Sequence, residues 1–459
     1  MSSTHSTDSQ SLVAKLNDRL ILLLPPLLCT QRSSWEQGIL AQALLECQLF
    51  LEAEGASMPD AFKSSPYGLI SWLYALAHDA FVRQAPDGRL AVLLNGAGTS
   101  DTGALDPGCI GPALYYLCSV ERRHGTSRGA NGPRLSRAFP APRGSASSSM
   151  LDGVERMLLY LLEDCPRERL PQQFRCAYAE EGEHLLSHRI DAVEIWSDSV
   201  YMLPPFLASA AAFYAQHPDL SLTSTDREWK YTPRDLLRMA LQQIVLAAAV
   251  LQSPTGEWSH IFDLHTGQFR RRAFWGVGNG WVFCGIVRVL SEATVPELDA
   301  EVDRSVPEDD PDSAQTPILT LLDRVYKILL NTVRACLAHM LPSHLFRDVL
   351  DDLASFEETN LAQMLSYTLY RLIDLHRYSP AFRAMDLTPL EDGELERWEG
   401  LAEVMGRAAE AKTDEWGFLR DVCGSPRFDA PGTAAEGQAW AIMMEVARAQ
   451  YLSHKQTAT

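Results

Sequence analysis

Apolar residues recur every three and four positions along most of the chain, the spacing that lines up one face of an α-helix. The run Trp35-Glu-Gln-Gly-Ile-Leu-Ala-Gln-Ala-Leu-Leu-Glu shows the pattern and predicts a helix over 35–54. The same rhythm predicts helices over 12–24, 66–82, 110–120, 150–163, 198–215, 233–252, 279–291, 318–341, 360–376, 395–409 and 434–449. Some segments, such as Leu236 to Leu251, are apolar around most of the circumference, so they are expected to be buried on more than one side. Long strand-type alternation is nearly absent. About twelve helices without a sheet point to an all-α fold, either a closed ring of helical hairpins or a stacked array. No repeat of fixed period is present, which counts against a solenoid.

Two stretches interrupt the rhythm. Residues 121–149 hold six arginines among Ser, Gly, Ala and Pro, and residues 292–316 hold nine acidic residues and one arginine. Both have too few apolar anchors to build core and are expected to be solvated inserts. Helices of similar character flank each one, so the chain is read as a single domain, 1–459, with a core over about 12–449.

Composition narrows the class. The 459 residues include 40 Lys plus Arg and 59 Asp plus Glu, a formal charge of −19. That balance lacks the basic footprint of a nucleic-acid binder, yet it permits a small anionic ligand, because local charge can oppose net charge. The apolar run Ile21 to Leu28 is interrupted by Pro25 and Pro26 and is too short for a membrane span. The polar residues before it do not resemble a secretory signal. Nine cysteines, an odd number with no CxxC pair, are expected to be reduced thiols in a cytoplasmic protein. No obligate protein partner is evident.

Four passages can carry chemistry. In Trp196-Ser-Asp-Ser-Val-Tyr-Met-Leu-Pro-Pro-Phe-Leu-Ala, Ser197 can cap a helix, and Pro204 and Pro205 should kink or reset it. Asp198 is either a cap or an acid; aromatic surroundings would raise its pKa, and the helix N-terminus would oppose that. The second passage is Gly256-Glu-Trp-Ser-His260, a turn leading to a histidine that either donates to a ligand or is structural. The third, Phe274-Trp-Gly-Val-Gly-Asn-Gly-Trp281, reads as a tight glycine turn between two tryptophans suited to stacking on a sugar. The fourth is Pro431-Gly-Thr-Ala-Ala-Glu-Gly-Gln, where Thr433 and Glu436 have capping-box spacing. Asp106, before another predicted helix, is a cap or a second carboxylate. No HExxH, zinc pattern, Gly-x-Ser-x-Gly elbow or phosphate-binding loop is present.

In this order, the Trp196–Ala208 segment, the Gly256–His260 loop, the Trp275–Trp281 turn and the Pro431–Gln438 motif resemble glycoside hydrolase family 105. Its members are unsaturated rhamnogalacturonyl hydrolases, related to the unsaturated glucuronyl hydrolases of family 88. The resemblance covers roughly 33–449 outside the inserts. It implies an (α/α)6 barrel that removes a 4,5-unsaturated uronic acid from the non-reducing end of pectin-derived oligosaccharides, without metal or cofactor. It further implies Asp198 as general acid/base and Asp106 as a second pocket aspartate. The expected sugar-binding set is Trp196, His260, Trp275, Asn279 and Trp281. Val277 stands where the family commonly has an arginine, and Arg270, Arg271 and Arg272 are nearby cations. A barrel glycosidase for another uronide or glycoside, and a catalytically silent sugar-binding protein, are the alternatives.

Overall fold

The structure, a computed structural model, describes residues 3–32, 34–55, 69–92, 102–124, 149–174, 183–225, 230–299, 316–425 and 427–458. Its long helices come in sequential pairs: α1 (Ser3–Thr30) with α2 (Trp35–Ala53), α3 (Leu69–Val82) with α4 (Gly111–His124), and α5 (Met150–Leu159) with α6 (Pro204–Gln216). Then follow α7 (Pro233–Leu251) with α8 (Gly276–Glu292), α9 (Ile318–Leu337) with α10 (Asn360–Tyr378), and α11 (Glu394–Glu410) with α12 (Ala435–Ala458). The second members pack side by side in the cycle α2–α4–α6–α8–α10–α12 and back to α2, and the first members pack outside them. This is an (α/α)6 barrel.

The hydrophobic pattern explains which helix goes where. In α9, Leu321, Leu322, Val325, Tyr326, Leu329, Leu330, Val333 and Cys336 are buried at helical spacing, leaving a polar face outward, as an outer helix requires. In α8 every residue from Gly276 to Val287 is buried, as an inner helix touching both neighbours and the outer layer requires. Helix α1 continues through Pro25 and Pro26, beyond its expected end, because Leu20, Leu23, Leu24 and Leu27 are fully buried. Burial there outweighs the lost backbone hydrogen bonds.

The glycine passage before Trp281 is not a turn. Gly276, Gly278 and Gly280 lie inside α8, and none has a positive φ. They serve close approach instead. A Cβ at Gly278 would sit 2.6 Å from Ser197 Oγ, one at Gly280 2.4 Å from Met364 Sδ, and one at Gly285 2.2 Å from the Val200 carbonyl oxygen. Helix α8 is thereby pressed against the segment that carries Asp198.

Short strands tie down the links into the inner helices. An antiparallel sheet joins β1 (Glu194–Trp196), β2 (Ile261–Asp263) and β3 (Gln268–Arg271) in that order, with Trp196 opposite Ile261 and Ile261 opposite Arg271. A second pair, β4 (Val422–Gly424) and β5 (Arg427–Gly432), precedes α12. Of the two inserts, residues 125–148 and 300–315 lie outside the described residues. The flanking parts that are described belong to the end of α4, the end of α8 and a short helix, Pro296–Asp299. No helix among the described residues is long and apolar enough to cross a membrane. The eight described cysteines are free thiols.

Candidate active site

In an alternating barrel the inner helices run parallel, so every outer-to-inner link emerges at one end. Those links bring distant sequence positions together around a cavity of about 250 Å³. Trp35 comes from the start of α2, Asp106 from just before α4, and His188, Trp196 and Asp198 from the link into α6. His260, Arg271 and Trp275 come from the link into α8, Trp281 from its second turn, Phe428 from β5 and Glu436 from the first turn of α12. The positive ends of the inner helices favour negative charge at this end.

Asp198 follows β1 and immediately precedes a four-residue helix, Ser199–Met202, which Pro204 and Pro205 terminate by starting α6. Its carboxylate makes no capping hydrogen bond. Ser197, the expected cap, instead donates to Asp198 Oδ2 at 3.1 Å. The Ser197 N–H donates to the His260 carbonyl at 2.9 Å, which joins the two links. His260 Nε2 lies 3.3 Å from Asp198 Oδ2, within ion-pair distance but without the alignment of a good hydrogen bond. On the other side of the imidazole, an Arg271 N–H lies 3.0 Å from Nδ1. A guanidinium can only donate, so Nδ1 accepts and the ring proton sits on Nε2, facing Asp198. The β2–β3 register places Arg271 there, and its guanidinium also covers the Trp275 ring at 5.6 Å.

Asp106 opens a short 3₁₀ turn, Asp106–Ile110, and meets His188 Nε2 at 3.1 Å. His188 stacks on Trp196 with centroids 4.5 Å apart, and its Nδ1 is 3.1 Å from Ser199 Oγ. Burial disfavours a charged His188, but Asp106, and then Asp198, outweigh it, so the histidine is held above its ordinary range. For Asp198 burial pushes upward, and His260 and His188 more than reverse it, leaving the carboxyl below its ordinary range. The expected rise from aromatic surroundings is therefore real as a contribution and overridden by the imidazoles. At rest Asp198 is an anion.

Trp275 and Trp281 both reach the cavity wall. The Trp275 Nε1–H donates to Asp348 Oδ1 at 3.0 Å, and Trp281 packs between Tyr201 and Trp440. Trp196 donates to Glu194 Oε2 at 2.9 Å, and Glu194 also pairs with Arg270. Asn279, expected at the sugar, is placed elsewhere. It is fully buried; its Oδ1 accepts from the Trp258 N–H at 2.7 Å, and its Nδ2 donates to the carbonyls of Trp258 (3.1 Å) and Trp275 (2.9 Å). It clamps the histidine loop to the start of α8 and leaves no amide group for a ligand.

Glu436 also departs from its expected role. Thr433 Oγ1 is buried without a partner, so no capping box forms, and Glu436 turns to the cavity wall. Val277 is buried in the apolar core, and the cavity's cation is Arg271 from β3. His188 carried no motif of its own and is revealed only by its stacking on Trp196, whereas of the three neighbouring arginines noted in the sequence it is Arg271 that lines the cavity. Among the described residues no group of three or more His, Cys, Asp or Glu is placed to hold a metal ion.

No family model and no curated protein matches the sequence. Solved structures do match the fold. A possible member of glycoside hydrolase family 105 from Klebsiella pneumoniae is 14% identical, over 97% of this chain and 93% of its own, with TM-score 0.59. A family 88 glycosyl hydrolase from Bacteroides vulgatus is 11% identical, over 97% and 99%, with TM-score 0.54. The unsaturated glucuronyl hydrolase of Bacillus sp. GL1, responsible for the degradation of glycosaminoglycan, is 11% identical, over 95% and 96%, with TM-score 0.53. The chain thus has the helical-barrel fold of proteins from glycoside hydrolase families 88 and 105, along nearly its whole length.

Proposed function

We propose that the protein is a glycoside hydrolase that hydrates the vinyl ether of a 4,5-unsaturated uronic acid and so releases it from the non-reducing end of a short oligosaccharide. The observation that carries this reading is the buried Asp198 beside the Nε2–H of His260, in an aromatic-walled cavity whose cation is Arg271. The fold shared with an unsaturated glucuronyl hydrolase supports it. Arg271 suits the uronate carboxylate, a role the buried Val277 cannot fill.

The resting charge of Asp198 fits an anionic substrate. A uronate in the same dry cavity adds a second negative charge, which raises the Asp198 pKa and favours uptake of a proton. Asp198 then delivers that proton to C4. Positive charge develops at C5, shared with the ring oxygen, and the Asp198 carboxylate removes a proton from the water that attacks C5. The hemiketal opens and frees the next sugar, while Asp198 has regained its proton. One carboxyl group serves both steps, unlike the two carboxylates of ordinary glycosidases. Asp106 and His188 hold the wall behind Trp196. No step calls for a metal or organic cofactor. A short pectin-derived (rhamnogalacturonan) oligosaccharide is the proposed substrate, and the free thiols support a reducing, cytoplasmic setting.

The test is incubation with unsaturated rhamnogalacturonan and glucuronyl disaccharides, following the ultraviolet absorbance of the vinyl ether and the freed sugar together. Loss of absorbance with release is the expected result. Release with absorbance retained would identify an ordinary glycosidase, and binding without turnover a silent sugar-binding protein; either outcome overturns the proposal.

A further inference from the structure

The mechanism above leaves one cavity carboxyl unused. Glu436 is 3% exposed, sits in the first turn of α12, and lines the cavity on the side of Trp35 and Phe428. Those two rings pack edge to face at 6.4 Å, and Phe428 also meets Trp275 at 6.1 Å. One Glu436 oxygen, Oε2, is buried without a hydrogen-bond partner among the described residues. It lies against Gly424, where an added Cβ would come within 3.0 Å. The nearest cation, Arg32, is occupied by Glu36, to which it donates at 2.9 and 2.6 Å. An ionised carboxylate in this place would be a buried charge with no counterion of its own, a costly arrangement. A neutral carboxyl group avoids that cost and presents an O–H.

We infer that Glu436 is a substrate-binding residue that works in its protonated form, donating a hydrogen bond to an uncharged oxygen of the sugar bound in the cavity that Arg271 also lines. This rests on the proposed uronide-hydrolase reading. The physical setting is consistent with it. Burial, with the Glu36 charge adding, pushes the Glu436 carboxyl up to about 8, against the opposing pull of its own backbone N–H, Arg32 and the Ser425 N–H. The α12 N-terminus also favours the anion and does not prevail. The charged and titratable groups around it are Arg32 and Glu36 from the α1–α2 side, and Asp106, His188, Asp198, His260 and Arg271 around the cavity. A donor and a cation in one cavity give the site two distinct demands: a sugar oxygen and a carboxylate.

The distinguishing experiment compares Glu436→Gln with Glu436→Ala in the full chain. An amide donates at every pH, whereas the carboxyl donates only while protonated. Wild-type kcat/KM on the unsaturated disaccharide should fall about tenfold per pH unit above about 8, mainly through KM. Glu436→Gln should hold its plateau through that range, and Glu436→Ala should lie about tenfold or more below the wild-type plateau, with the gap closing above about 8 and with kcat less affected than KM. His188 also titrates above its ordinary range, so the decisive comparison is the limb that disappears in Gln. An alkaline limb identical in wild type and Glu436→Gln, or equal KM in Glu436→Ala, overturns the inference. A parallel titration with saturated glucuronate, by tryptophan fluorescence at about pH 6.5 and about pH 9, separates the two ideas. If wild type fails to turn over any unsaturated disaccharide but binds glucuronate with an alkaline weakening that Glu436→Gln abolishes, the hydrolase reading falls and the role of Glu436 stands. Binding with no such difference between the two proteins removes the role, whatever the activity.

Discussion

Replacing Asn279 by alanine separates a clamp from a sugar ligand. The side chain accepts one hydrogen bond and donates two, all to backbone of Trp258 and Trp275, and it is fully buried. Each such bond contributes about 1 kcal/mol net, and stranding the buried Trp258 N–H adds about 1–3 kcal/mol. The three are not independent, so the expected loss is about 3–5 kcal/mol. For a chain of this length the unfolding entropy is on the order of 1 kcal/mol per kelvin, so Tm should fall by about 3–5 °C. Calorimetry checks that figure, and kinetics on the unsaturated disaccharide check the site. The clamp holds the His260 loop, so kcat should drop alongside stability while KM changes little. A Tm within about 1 °C of wild type, together with a KM raised tenfold or more, would refute the reasoning and return Asn279 to the sugar.

Three further outcomes are expected. Asp198→Asn still accepts the Ser197 hydroxyl, so Tm and KM should stay near wild type while kcat falls by about 10²–10⁴; unchanged turnover, with deamidation excluded by mass, would take Asp198 out of the mechanism. His188 is raised from 6.5, chiefly by Asp106 against burial, so its pairing stabilises the fold fully below that unfolded value and is lost as pH rises through the higher folded one. His188→Gln should therefore flatten this part of the stability profile on the alkaline side of the unfolded histidine value, measured by urea unfolding; a profile parallel to wild type contradicts the Asp106–His188 pair. Gly285→Ala brings a Cβ within 2.2 Å of the Val200 carbonyl oxygen, so it should cost about 1–3 kcal/mol and lower kcat by displacing the Ser199–Met202 turn, whereas a wild-type melt and rate would show that α8 yields freely.

Much of the architecture is legible in the chain alone, because helix period and circumference of apolar cover are local properties. The amphipathic stripe of α9 marks an outer helix and the wholly apolar face of α8 an inner one, and the segments expected to be helical correspond in order to the twelve long helices described. Pro204 and Pro205 reset the chain where their missing N–H groups require it. What the sequence does not state is which polar groups meet. Asp198 as cap or acid is undecided by spacing, and the outcome depends on His260 and His188, 62 and 10 residues away, brought in by the parallel inner helices. Asn279 and Glu436 exchange their expected roles for the same reason. The amide is consumed by backbone that only the packed barrel places around it, and the glutamate finds no Thr433 partner and faces the cavity. The α8 glycines look like a turn in one dimension, and only the closeness of Val200, Ser197 and Met364 shows them to be spaces left for neighbouring elements. Periodicity records how each element faces the core; charge, proton position and ligand access arise from long-range juxtaposition, which tertiary structure alone decides.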